Sequence, residues 1–134
     1  MNLPNELGYT AVQSQAALGV VRQTCLALPE TNERLSHGSP TFFIRDKKSF
    51  VMFLDDHHGD GRLALWLAAP AGVQAAMIES EPDRFFYPPY VGGRGWLGVH
   101  LTGDVDWDEL AAIVTEAYRC VAPAKLVVQL SPGP

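Results

Sequence analysis

No stretch constrains the fold of this chain more than LPETNERLSHGSPTFFIRDKKSFVMFL, residues 28–54, in which chain-reversing residues alternate with short apolar runs. Leu28-Pro29-Glu30 ends a helix, because proline cannot continue one, and Gly38-Ser39-Pro40 marks a turn. The fourteen residues after it read as two strands joined by the basic turn Asp46-Lys47-Lys48. A chain that reverses at these intervals pairs neighbouring strands antiparallel. No catalytic apparatus is visible within the segment.

The flanking sequence supplies the helices. Thr10 with Gln13 fits a capping box, and Val20, Val21, Thr24, Cys25 and Leu28 recur at helical spacing, which predicts a helix over 11–27. Strands are expected near 34–37, 41–45, 50–55 and 62–68, and the polar, glycine-rich run 55–61 is a loop between two of them. After Pro70 the segment AGVQAAMIES favours a short helix ended by Glu81-Pro82-Asp83. Residues 84–87 and 96–101 read as another strand pair, and Pro88-Pro89 between them marks a sheet edge or exit. The last helix carries the clearest local signal: Asp106 and Glu109 make a capping box, with Val105 and Leu110 at hydrophobic-staple positions. Leu110, Ile113, Val114, Ala117, Tyr118 and Val121 then form one apolar stripe, and Pro123 stops the helix. This order predicts an α+β fold: one domain over 1–134, a mainly antiparallel sheet with helices packed on one face.

With 134 residues, 47% hydrophobic and 19% charged, the chain has enough apolar material for one core. A globule of this size buries roughly two-thirds of the surface that its unfolded chain exposes. Cys25 and Cys120 both fall in predicted amphipathic helices and are expected to be buried free thiols. The start MNLPNELGYT has no basic region and no apolar run, and no stretch approaches the roughly 20 apolar residues of a membrane span, so a cytoplasmic protein without membrane partners is expected. A net charge of −5 disfavours non-specific adhesion to phosphate backbones. Acids dominate from Asp104 onward, whereas bases are spread through the strand region at Arg34, Arg45, Lys47, Lys48, Arg62, Arg84 and Arg94.

Several motifs fail on context. Gly93-Arg94-Gly95-Trp96-Leu97-Gly98 spells G-x-G-x-x-G, but a strand follows it where a dinucleotide site needs a helix N-terminus, so no cofactor is expected. Asp55, Asp56, His57, His58 and Asp60 crowd potential metal ligands into a solvated turn, and no metal site is assigned to them. The acids Asp104, Asp106, Asp108 and Glu109 are accounted for by a helix start. Ser36, Ser39, Cys25 and Cys120 are candidate nucleophiles with His37 and His100 as candidate bases, yet none sits in a diagnostic frame, so no catalytic residue is assigned and a non-enzymatic role is favoured.

Taken in order, the LPE after the first helix, His37-Gly38-Ser39-Pro40-Thr41-Phe42, the 48–53 strand, Phe86-Tyr87-Pro88-Pro89-Tyr90, Gly95-Trp96 and the 107–121 helix resemble the MmcQ/YjbR family over nearly the whole chain. The resemblance implies a compact α+β domain similar in topology to the CyaY/frataxin fold, and a DNA-binding role through a double-wing arrangement. On that reading the turn bases Arg45, Lys47 and Lys48, with Arg94 in the loop 92–95, are the residues placed to reach phosphate. The alternative is a small-ligand or protein-binding module with an aromatic pocket near Tyr87, Tyr90 and Trp96, in which His37, Tyr90 and Trp96 line a concavity and Arg94 neutralises an acidic ligand. DNA and a small molecule are therefore the two candidate partners, and nothing in the sequence selects a monomer or a dimer.

Overall fold

The structure, a computed structural model, describes residues 7–130. The first six residues of the start read above as carrying no leader lie outside the described residues, as does 131–134. Helix α1 (Ala11–Leu26) leads into strands β1 (Thr31–Ser36), β2 (Ser39–Ile44), β3 (Lys48–Asp55) and β4 (Leu63–Leu67). Helix α2 (Val73–Ser80), strands β5 (Phe85–Phe86) and β6 (Leu97–His100), and helices α3 (Trp107–Val121) and α4 (Ala124–Val127) follow. The six strands form one sheet in the order β1-β2-β3-β4-β6-β5, antiparallel at every pairing. The α+β architecture expected from the sequence is the one observed. No helix among the described residues is long and apolar enough to cross a membrane.

The first turn differs from expectation in an instructive way. β1 starts at Thr31, and the reversal consists of His37-Gly38 alone, because Ser36 pairs with Ser39. Both turn residues take positive φ, 51° and 81°, which matches a two-residue hairpin to the strand twist. Pro40 therefore lies inside β2, opposite Leu35, where pairing to β3 has not yet begun, so its missing N–H interrupts no β2–β3 bond. The next hairpin reverses through Arg45-Asp46-Lys47 between Ile44 and Lys48.

Alternation along the strands divides the side chains between two faces. Val51, Phe53, Leu65, Leu67, Leu97 and Val99 share the face covered by α1 and α3, where they meet Val21, Cys25, Val114 and Ala117 in one apolar core. A register slip between Phe42 and Phe43 leaves Phe50 as an extra residue, turned toward α3, where its ring meets the Tyr118 ring edge-on at 5.6 Å. Tyr118 is fully buried and donates its hydroxyl proton to the Pro29 carbonyl at 2.7 Å, so α3 is tied to the segment that ends α1. Polar anchors fix α1 on the same face: Arg22 pairs with Glu33 of β1, and Ser14 donates to the Asp55 carboxylate at 2.6 Å.

The helix starts were read well, with one correction. At α1 the reciprocal capping box of Thr10 and Gln13 is complete. At α3 the Asp106 carboxylate accepts from the Glu109 N–H at 3.0 Å, but the Glu109 side chain reaches Arg84 instead, at 3.2 Å, because a guanidinium is a better partner for a carboxylate than an amide is. Val105 and Leu110 both pack on the core. Cys25 is buried as expected, whereas Cys120 is exposed because it lies off the apolar stripe of α3.

Candidate ligand-binding groove

Neither α1 nor α3 covers the other face of the sheet. Thr41, Ser49, Met52 and Trp66 point to it from β2, β3 and β4, and Gly98 and Phe86 continue it on β6 and β5. Two connections fold over its surface. One is the tight helical turn His57–Gly59 after β3, and the other is the Pro88-to-Gly95 loop between β5 and β6. Gln74 of α2 pins the second loop by donating to the carbonyls of Gly92 and Trp96, at 2.8 and 2.6 Å. The Tyr87 ring packs flat on Gly92, where an added Cβ would lie 2.4 Å from it, so glycine is required there.

Between the loops and the sheet lies a cleft of about 590 Å³, within the range of small-molecule sites. Met52 and the buried Trp66 line it together with the hydroxyls of Ser36, Thr41 and Ser49, and His37, His57, His58, Tyr90, Val91 and Arg94 complete it. Its rings stand at steep angles to one another: His57 is edge-on to Trp66 at 5.1 Å and to Tyr90 at 6.3 Å, while Trp66 and Tyr90 are 6.2 Å apart and tilted by 51°. The Trp66 indole N–H is buried and has no hydrogen-bond partner among the described residues, a deficit that costs about 1–3 kcal/mol.

Of the residues lining the cleft, His37, His58 and Tyr90 have φ between 51° and 63°; at His37 this belongs to the hairpin turn, whereas for a residue as large as Tyr90 this conformation is uncommon. It holds the Tyr90 ring, itself 77% exposed, over the cleft instead of letting it fold away. Strain of this kind concentrates where a geometry serves a ligand.

Next to the aromatic cleft is a second concavity of about 570 Å³, lined by Lys47, Lys48, Ser49, Ala68, Ala69, Arg94, Trp96, Cys120 and Val121. Arg94 and Ser49 line both, so the two concavities share a wall. The Arg94 guanidinium sits over the Trp96 ring, 5.0 Å from its centroid. Among the described residues no carboxylate lines either chamber. Among the described residues none of Lys47, Lys48 and Arg94 takes part in an ion pair, while Arg22, Arg34, Arg45, Arg84 and Arg119 are each paired to an acid.

The candidates from sequence are thus partly regrouped. Lys47, Lys48 and Arg94 come together, but Arg45 is drawn away by Glu30 at 2.9 Å, and that carboxylate raises the Arg45 pKa. His37, Tyr90 and Arg94 line the aromatic cleft together. Trp96 does not: it is buried beneath Arg94 on the cationic side, and Trp66 takes the place expected of it. Tyr87 braces the loop and does not line the cleft. Trp66 escaped notice because β4 is apolar at all five positions and shows no alternation, Met52 because it sits inside the unbroken apolar run 50–54 of β3, and His57 and His58 because a polar loop gives no sign of folding back onto a sheet.

Little in the groove resembles a reaction centre. Of the groove hydroxyls, that of Thr41 donates to the Ser39 carbonyl at 3.0 Å and not to a histidine. Burial, reinforced by Glu116, pushes the Cys120 thiol up, and burial does the same to Cys25, so neither is an activated thiolate. No group of three or more His, Cys, Asp or Glu side chains among the described residues is arranged to hold a metal ion.

Comparison with known proteins bears on the fold and the family. A family model described as YjbR matches residues 26–120. The chain is similar in structure to Deinococcus radiodurans protein DR2400, a crystal structure with a DUF419 domain, at a TM-score of 0.67 and 17% sequence identity, covering 84% of this chain and 86% of that one. No curated protein matches the sequence.

Proposed function

Since the chain belongs to the YjbR family, and an aromatic cleft on its sheet abuts a cationic concavity that reaches the end of α3, we propose that it is a non-enzymatic binding module for a planar, acidic small molecule. The observation that carries this reading is the shared wall: Arg94 and Ser49 line both the aromatic cleft and the concavity that holds Lys47 and Lys48, and among the described residues no acid lines either part. Flat ring faces and a hydroxyl-bearing wall suit a conjugated ring. Lys47, Lys48 and Arg94 supply positive charge at one end of it, and on a protein of net charge −5 such a patch focuses the field on an anion. A thermal-shift screen of aromatic acids and phosphates against the intact chain tests the reading. Binding that Arg94→Glu abolishes and Lys125→Glu, in α4 and outside both linings, leaves intact supports it; binding indifferent to Arg94 refutes it.

The convergence of Lys47, Lys48 and Arg94 also favours a second reading, in which these residues contact the phosphates of a DNA duplex. That mode predicts a steep fall of affinity with salt, and loss of binding in the combined variant Lys47→Glu, Lys48→Glu, Arg94→Glu. Tyr90→Ala separates the two, since backbone contact with duplex DNA does not need a ring in the cleft.

A further inference from the structure

We infer that the ligand is a nucleoside 5′-phosphate, with its base in the aromatic chamber and its phosphate in the cationic one; this rests on the groove being a small-molecule site. Charge is the first argument. Three cations converge where one would neutralise a carboxylate, and a phosphate monoester carries about −1.5 to −2 at neutral pH. Arg94 brings a planar fork that matches phosphate oxygens in pairs, while Lys47 and Lys48 act as point charges from the hairpin turn.

The aromatic chamber supplies the second argument. Ser36 and Ser49 put hydroxyls along the same cleft as Trp66 and Tyr90, and a hydrocarbon ring would strip these groups of water without replacing their hydrogen bonds. A heterocycle with ring nitrogens and exocyclic groups, or a ribose, meets them with donors and acceptors. His37 and His57 add two further polar edges. The link between chambers at Arg94 and Ser49 is where the sugar would pass. The same chemistry is offered by a free mononucleotide and by the phosphorylated 5′ end of a single strand.

Isothermal titration and tryptophan fluorescence with defined probes test this. Adenosine 5′-monophosphate and guanosine 5′-monophosphate are titrated beside adenosine, inorganic phosphate, 1-naphthyl phosphate and a 5′-phosphorylated dinucleotide. The expected result is saturable binding of at least one nucleotide, with adenosine, phosphate and 1-naphthyl phosphate each at least about tenfold weaker. Arg94→Gln and Tyr90→Ala should each weaken nucleotide binding about tenfold while leaving the melting midpoint within a few degrees, as both side chains are exposed. A dinucleotide that binds more tightly than the mononucleotide identifies a strand end as the source, and equal binding identifies the free nucleotide. Tight binding of 1-naphthyl phosphate without any nucleotide overturns the inference and leaves the acidic-ligand reading standing. Failure of every acid tested overturns both.

Discussion

The two faces of the sheet are built from the same strands and do opposite things. The helix face is apolar and closed, and its charges pair off at the margins, as Arg22 does with Glu33. The other face has the positive-φ Tyr90 and an indole N–H without a partner among the described residues at a cleft, which shares Arg94 with a cationic concavity at the end of the sheet. Stability resides in the first and is partly given up in the second, which is the pattern expected where a surface is kept for a ligand.

The comparison can be broken most sharply at Tyr118. Its ring fills the helix face and its hydroxyl holds the Pro29 carbonyl, so Tyr118→Ala should cost about 3–5 kcal/mol in urea unfolding. If it costs under 1 kcal/mol, the helix face is not the seat of stability. Gly98 tests the opposite face next, because a Cβ there would come within 2.5 Å of the Phe86 ring. Gly98→Val should destabilise by about 1–3 kcal/mol through overpacking, read as a lower melting midpoint.

Smaller and of opposite sign is Tyr90→Gly. Relief of the positive φ should leave stability unchanged or raise it by up to about 1 kcal/mol, while removing the ring that overhangs the cleft. A loss above 1 kcal/mol would mean that Tyr90 is structural. The smallest effect concerns His100, whose ring lies 4.6 Å from that of Phe86. Burial, helped by Arg62 and opposed by Asp60, holds the His100 imidazole below its ordinary value of 6.5. The unfolded chain therefore takes up this proton first, so the contribution of neutral His100 is complete above pH 6.5 and is lost as pH falls toward the folded value. His100→Gln should flatten the stability profile over that window, and an unchanged slope would remove His100 as its cause.

Much of the helix face was legible before any coordinates. Thr10 with Gln13 and the stripe Leu110, Val114, Ala117, Tyr118 are local patterns with one physical interpretation each, and both appear as read. The errors are those of neighbourhood. Glu109 was assigned to its own helix cap because nothing in the sequence brings Arg84 beside it. Cys120 was expected to be buried because a helical segment predicts a stripe more firmly than it places one residue just off it. Trp96, expected in the aromatic pocket, lines the cationic concavity instead, and Trp66, inside an unbroken apolar strand, lines the aromatic cleft.

The family, the α+β class, the order of elements and the position of the basic turn were determined by the sequence alone, because capping, turn chemistry and period depend on residues within one or two turns of each other. The groove was decided only by tertiary structure. Lys47 and Arg94 are separated in sequence by β3, β4 and β5, and Trp66 and Tyr90 by α2 and β5, and only the β4–β6 pairing with the fold-back of two loops brings them to adjoining concavities. Contacts of that kind are set by the packing of the whole domain, and no local rule encodes them.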